Sequence, residues 1–381
     1  MRQSKPNKGM GHDLVPGELL HHAPPHLASK MWPVLAKMAM WVDEPLQWKG
    51  GRLVAAYKNK GSVQECGSYR ALLVSSSMGK AMHNIWRRRV YPYVQSGATS
   101  LQFSAQPRAL VTQASHCARL FVAQAERSHR SCYLIFLDIQ SAYYQLIRQN
   151  AVDLSFNDTD ILTFLQRMGV DPMHVEDLAH LLERPTALEE QGCPTHLHKM
   201  VSTIHRSTWW QLQNDTVAIQ TSKGTRLGDG FADVLWALVF SRYFMKINAC
   251  LEGLGICRTL KWNGEAGFRS NTGQQDISGG AIVWADDAVV AADHHDPSKL
   301  IPMLQVSMEV IITELLKLGM KPNMAKGKTE AMVILRGKSS KKIKLYVHGH
   351  CKGQIALHLD SPEYKTVRIV PRYVHLGGVL T

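Results

Sequence analysis

Three carboxylates stand inside apolar sequence. Asp138 closes the apolar run 132–137, and the adjacent pair Asp286 and Asp287 divides the apolar residues 281–284 from 288–292. A carboxylate at the end of a buried strand is costly unless it is paired or binds a cation. Two adjacent ones repel each other, and a divalent cation relieves that repulsion. On a strand and a neighbouring hairpin, Asp138 and Asp286 could hold two Mg²⁺ ions, or Mn²⁺ in their place, about 3.5–4 Å apart, a separation suited to in-line displacement at phosphorus. The bland alternative is a polar Asp-Asp turn together with an Asp helix cap.

The elements that must position these acids follow from hydrophobic period. Residues 132–139 read as a buried strand and 141–149 as the helix leaving it. The runs on either side of Asp286-Asp287 read as a β-hairpin with both acids at its turn. Leu300, Leu304, Met308, Ile311, Ile312, Leu315 and Leu318 keep helical spacing up to Gly319 and Pro322, and 331–335 follows as a strand. This order predicts an α+β sheet domain with helices on one face. Upstream, 52–57 and 71–74 read as strands, 78–93 as a basic helix, and 27–40 as a helix following Pro24-Pro25. The expected organisation is an N-terminal helical extension over 1–48, one subdomain over 49–130 and a second over 131–381.

A length of 381 residues with 45% hydrophobic content excludes a disordered tail or a minimal binding module. Seven scattered cysteines without a CxxC read as reduced intracellular thiols. Cys193, His196, His198 and His205 do not match the spacing of a common structural zinc site. No apolar run approaches the roughly 18 residues that span a bilayer, and the N-terminus lacks the apolar segment of a signal peptide.

The net charge of +13 points to an anionic partner and is concentrated in two segments. Residues 49–89 hold nine Lys or Arg against one acid, and 336–372 hold nine against two, so the rest of the chain is nearly neutral. Two positive patches around a neutral body suit a groove gripping a polyanion; two solvated faces are the competing explanation.

With these residues in view, the sequence resembles the reverse transcriptase domain of non-LTR (LINE-like) retrotransposons, related to group II intron reverse transcriptases. Asp138-Ile139-Gln140-Ser141-Ala142-Tyr143 resembles the family's first catalytic motif, and Trp284-Ala285-Asp286-Asp287 its aromatic-x-Asp-Asp signature. Gly319 to Asn323 with Lys328-Thr329 is similar to the Gly-Leu…Asn…Lys-Thr motif, and Tyr373 to Gly377 to the Tyr-Leu-Gly turn that grips the primer. Lys58 to Gly61 and Gly67 to Arg70 resemble the fingers segment. The resemblance covers roughly residues 15–381. The chain departs from the family at 226–233, which keeps Arg226 and Gly228 but lacks the Gln, Pro and Ser of the template-positioning motif. It also carries Tyr144 where Asp is frequent and Trp284 where Tyr or Phe is usual.

The resemblance implies a right-hand-like polymerase with fingers and palm, its thumb absent or truncated, acting as an RNA-directed DNA polymerase on RNA template, DNA primer and dNTPs. Asp138, Asp286, Asp287 and the backbone carbonyl of Ile139 would bind the metals. Lys328 would protonate the leaving pyrophosphate. Lys58, Lys60 and Arg70 would hold the triphosphate. Tyr143 would exclude a 2′-hydroxyl, Arg226 and Gly228 would meet the template–nucleotide pair, and Tyr373, Leu376 and Gly377 would form the primer grip. It also implies a larger element protein with thumb and endonuclease, working in the nucleus or cytoplasm as a ribonucleoprotein and without a membrane. Two alternatives stay open: an RNA-dependent RNA polymerase, and a degenerate remnant that binds nucleic acid without catalysis.

Overall fold

The computed structural model describes residues 8–154, 160–226, 228–256, 259–260, 277–278, 280–361 and 363–381. In chain order the elements begin with α1 (Gly17–His22), α2 (Pro24–Trp41), β1 (Gly50–Tyr57), β2 (Tyr69–Ser75), α3 (Ser77–Ser96), α4 (Val111–Arg127) and β3 (Ser131–Leu137). Next come α5 (Ala142–Gln145), α6 (Ile161–Arg167), α7 (Val175–Leu182), α8 (Ala187–Glu190), α9 (Thr195–His205), β4 (Trp209–Leu212), β5 (Ala218–Gln220) and α10 (Ala232–Gly253). The chain continues with β6 (Thr259–Leu260), β7 (Ile277–Ser278), β8 (Ile282–Trp284), β9 (Asp287–His294), α11 (Leu300–Leu316) and β10 (Glu330–Ile334). It closes with α12 (Ser340–Leu345), β11 (Gln354–Ala356), β12 (Thr366–Val370), β13 (Tyr373–His375) and β14 (Gly378–Leu380). The fold is mixed α+β. Two compact units interleave along the chain: Met1–Gly97 with Tyr143–Val239, and Ala98–Ala142 with Phe240–Thr381.

The first unit is built on a four-stranded sheet in the order β2-β1-β4-β5. β1 and β2 are antiparallel from Gly51↔Ser75 to Tyr57↔Tyr69, whereas β1 and β4 run parallel. α3 begins at Ser76, whose hydroxyl accepts the Gly79 N–H, and buries Met82, His83, Trp86, Val90 and Val94 at helical spacing. Arg87 flanks that buried face and pairs with Asp233, while Arg88 is exposed.

The second unit is built on a six-stranded sheet in the order β11-β12-β10-β3-β9-β8. β3 is its centre, antiparallel to both β9 and β10. On one face Cys132, Leu134 and Phe136 join Val289, Ala291 and Met332 under Ala114, Ala118, Phe121 and Ala125 of α4. On the other face the Tyr133 hydroxyl meets the Ser307 hydroxyl of α11 at 2.6 Å. The expectation of helices on one face is therefore corrected. All seven residues of β3 are buried, and a strand apolar on both sides needs cover on both.

One further expectation changes. The helix expected over 141–149 is only the single turn α5 followed by a 3₁₀ turn at Arg148–Asn150. Its carbonyls are taken elsewhere: Tyr143 accepts the Thr225 N–H and Leu146 the Gly224 N–H, so no i→i−4 ladder continues. Helix α10 is long and apolar enough, by length and composition, to cross a membrane, although Asp233, Arg242 and Lys246 interrupt any continuous apolar run. Most of it is buried within the protein, with Val234, Leu235, Trp236, Phe240 and Phe244 in the core. Burial explains its apolar character.

Candidate functional site

The buried strand β3 delivers Asp138 to its C-terminal edge, where the backbone passes to Pro322 through a bridge at Ile139. Asn323 and Thr329, from the segment between α11 and β10, clamp this point. The Asn323 N–H and the Thr329 hydroxyl donate to the Asp138 carbonyl, and the Asp138 N–H donates back to Thr329. Asn323 Nδ2 donates to Asp138 Oδ1 at 2.9 Å, and Lys328 Nζ donates to Oδ2 at 2.8 Å. Both carboxylate oxygens are thus held.

The second arm is the β8–β9 hairpin. Trp284 pairs with Asp287, leaving Ala285 and Asp286 as a two-residue turn with Ala285 in the left-handed region at φ 54°. Asp286 sits in the turn, while Asp287 is the first residue of β9. Because Leu137 pairs with Ala288, the register directs Asp138 towards Asp287. The electrostatics agree. Burial, then Asp286 and Asp138, push the Asp287 carboxyl up to about 6 against the pull of Lys328. Asp286 is raised mainly by burial and also by Asp138. Asp286 and Asp287, both raised, beside Asp138 give three oxygen-donor side chains in one place, a site that a hard cation suits. Among the described residues, however, no ready cluster of three or more His, Cys, Asp or Glu is gathered around a metal position; Lys328 is the cation on Asp138.

The β13–β14 hairpin borders the same region of the second unit. The Tyr373 ring stacks on Phe136 at 3.9 Å between centroids, and its hydroxyl donates to the Lys328 carbonyl at 2.7 Å. Burial, then Asp138 and Asp287, raise the Tyr373 phenol, so it stays neutral. Leu376 and Gly377 form the turn between His375 and Gly378, both with positive φ (49° and 79°), as a type I′ turn requires. Burial holds His375 down to about 4. Asp138, Asp286, Asp287, Lys328 and Tyr373 therefore converge within one unit.

The remaining candidates lie in the first unit. Lys58, Lys60 and Arg70 are exposed at the β1–β2 hairpin, where the Tyr57 and Tyr69 hydroxyls order the tip by donating to the Gly61 and Val63 carbonyls. Lys58 Nζ donates to the Gly67 carbonyl at 2.7 Å. Tyr143 is half-buried, its ring 5.1 Å from that of Trp236. Arg226 is buried, donating to the Trp48 carbonyl and ion-paired with Asp229 at 3.0 Å, so its guanidinium serves the interior of the unit. Gly228 has φ 102°, and a Cβ there would lie 2.8 Å from the Leu73 carbonyl; the close approach is to the protein's own backbone. Tyr144 donates its hydroxyl to the Ala71 carbonyl. His196 and His198 engage the Ala39 carbonyl and Thr186.

Sequence reasoning missed a buried triad in this unit. His83 Nε2 bonds Glu44 at 2.9 Å and its Nδ1 bonds Asp229 at 2.8 Å. Burial opposes the imidazolium, but Asp229 and then Glu44 outweigh it and raise His83 to about 9. Burial alone would raise Asp229; Arg226 and His83 hold it far below the carboxylate range. The only signal was a lone His on the apolar face of α3. No protein-family model matches the sequence, and no curated protein matches it.

Proposed function

We propose that the second unit carries a nucleotidyl-transfer centre of the RNA-directed DNA polymerase kind, in a right-hand-like fold whose palm is the six-stranded sheet. The observation that carries this reading is the convergence of Asp138 with Asp286 and Asp287 from elements about 150 residues apart in sequence, with Asp138 raising both hairpin acids and itself ion-paired to Lys328. Divalent cations, when bound by these carboxylates, would activate the primer 3′-hydroxyl and neutralise the departing pyrophosphate. The chain's own residues do the rest. Asn323 and Thr329 fix the Asp138 backbone, and the β8–β9 turn fixes Asp286 relative to Asp287. Lys328 donates to Asp138, which places its ammonium within reach of the centre as a proton donor. Tyr373, stacked on Phe136, carries the Leu376-Gly377 turn against the same sheet as a primer contact. In this reading Tyr143 selects deoxyribose, Lys58, Lys60 and Arg70 bind triphosphate, and Arg226 acts on template indirectly by holding the loop that contains Gly228.

The ion pair of Lys328 with Asp138 is the observation that favours a second reading, a nucleic-acid-binding remnant whose carboxylates are closed off by the protein's own cation. Extension of a DNA primer on an RNA template in Mg²⁺, with dNTPs and NTPs competing, separates the readings. Polymerase activity gives dNTP-selective extension, and Tyr143→Ala admits ribonucleotides. Tight binding without extension gives the remnant. Preference for NTPs in the parent gives an RNA polymerase.

A further inference from the structure

The first unit contains a cavity of about 470 Å³ that uses no residue of the carboxylate cluster. Leu53, Leu73, Tyr144, Trp209 and Trp210 line it with apolar and aromatic surface, and Arg148 and Lys223 add positive charge. Neither Asp nor Glu is among its lining residues.

Arg148 is 3% exposed, and buried guanidinium groups ordinarily face a carboxylate. This one does not. It donates to the carbonyls of Gly224, His205, Thr221 and Lys223 and to the hydroxyls of Thr208 and Thr221, all neutral. Its neighbour Arg226 is already matched by Asp229. Lys223 Nζ donates to Gln145 Oε1 at 2.9 Å and to the Met168 carbonyl at 2.7 Å, again neutral, and an ammonium has a third N–H. Among the described residues, the cavity wall therefore carries two positive charges that no carboxylate balances, beside indole and phenol rings. Its size falls in the range of small-molecule sites, which are mostly apolar with a few polar anchors.

We propose that this cavity binds one nucleotide unit, its base against the tryptophan and tyrosine rings and its phosphate drawn to Lys223 and the field of Arg148. A neutral aromatic ligand would leave the charge unanswered, and a bare phosphate would leave the aromatic walls unused. Stacking on such side chains is tolerant of base identity, so the site reads the phosphate and a planar ring and does not select a particular base. The proposal does not rest on the polymerase reading.

The test is titration of the full chain in EDTA with GMP, guanosine, inorganic phosphate and a 5′-phosphorylated trinucleotide, followed by calorimetry and tryptophan fluorescence. GMP is expected to bind at least about tenfold more tightly than guanosine or phosphate alone. Lys223→Met should weaken GMP by about tenfold and leave guanosine unchanged. Ala71→Trp, which fills the cavity, should abolish binding of both. Stronger binding of the trinucleotide than of GMP, also blocked by Ala71→Trp, identifies the unit as part of a strand; the reverse order identifies a free nucleotide. Equal affinity for GMP and guanosine, binding unaffected by either substitution, or no saturable binding of any probe overturns the proposal. Should Ala71→Trp not fold, as judged by circular dichroism, Lys223→Met alone decides. EDTA keeps metal chemistry out of the measurement, so failure here leaves primer extension untouched.

Discussion

Replacing His83 with Gln tests the buried triad that holds the first unit together. The parent imidazolium lies between Glu44 and Asp229, all three side chains at most 1% exposed. Gln removes the charge and leaves two buried carboxylates with Arg226 as the remaining cation on Asp229, a loss of about 3–5 kcal/mol by analogy with other broken buried pairs. The pH dependence distinguishes this cause from simple packing loss. The folded pKa of His83 is raised to about 9 from an ordinary 6.5, so its stabilisation is complete below the unfolded value and disappears as pH rises through about 9. The gap between those values corresponds to about 3 kcal/mol. Urea unfolding of parent and His83→Gln, followed by tryptophan fluorescence from about pH 7 to about pH 10, should give a stability difference that shrinks with rising pH. A difference that stays flat across that range refutes the charged triad.

Three other outcomes follow from named interactions. Lys328→Met removes the cation on Asp138, so the midpoint of thermal unfolding in EDTA should fall and Mg²⁺ should restore it more in the variant than in the parent, by up to about 2.7 kcal/mol at a hundredfold excess over Kd. Equal Mg²⁺ responses would mean that Lys328 and the metal do not compete. Gly228→Ala should destabilise the chain by about 1–3 kcal/mol in urea unfolding, because of its positive φ and the Leu73 carbonyl in its path. Affinity for primer–template should fall steeply with salt, and neutralising the exposed Lys58, Lys60 and Arg70 should lower the log–log slope by about 0.9 for each phosphate that these side chains pair with; an unchanged slope would assign those charges to solvation alone.

The strands around the candidate site were legible because they are short apolar runs bounded by Asp, Gly and Pro, and Asp138, Asp286 and Asp287 interrupt those runs visibly. The faces were not. β3 has no alternation to read, and only the structure separates Phe136 under α4 from Tyr133 at α11. Long-range hydrogen bonding decided the rest: the Gly224 and Thr225 N–H groups end the helix expected after Ser141, and that loop is about 80 residues away in sequence. Arg226 and Gly228 looked like ligand-binding residues because they stand where the resembled template-positioning motif has its Arg and Gly. Their partners, Trp48, Asp229 and Leu73, are fixed by tertiary structure that no local pattern encodes. The histidine triad was hidden for the same reason.

The most direct measurement is Mg²⁺-dependent extension of a DNA primer on an RNA template by the parent chain and by Asp286→Asn, with primer–template binding measured in parallel. Asn keeps the side-chain volume at the β8–β9 turn and removes the charge that would hold the cations, so transition-state stabilisation should disappear while primer–template binding persists. The expected result is extension by the parent, extension abolished in Asp286→Asn, and nearly equal binding of both. Equal extension by the two proteins, or binding without any extension by the parent, would contradict a catalytic role for this carboxylate cluster.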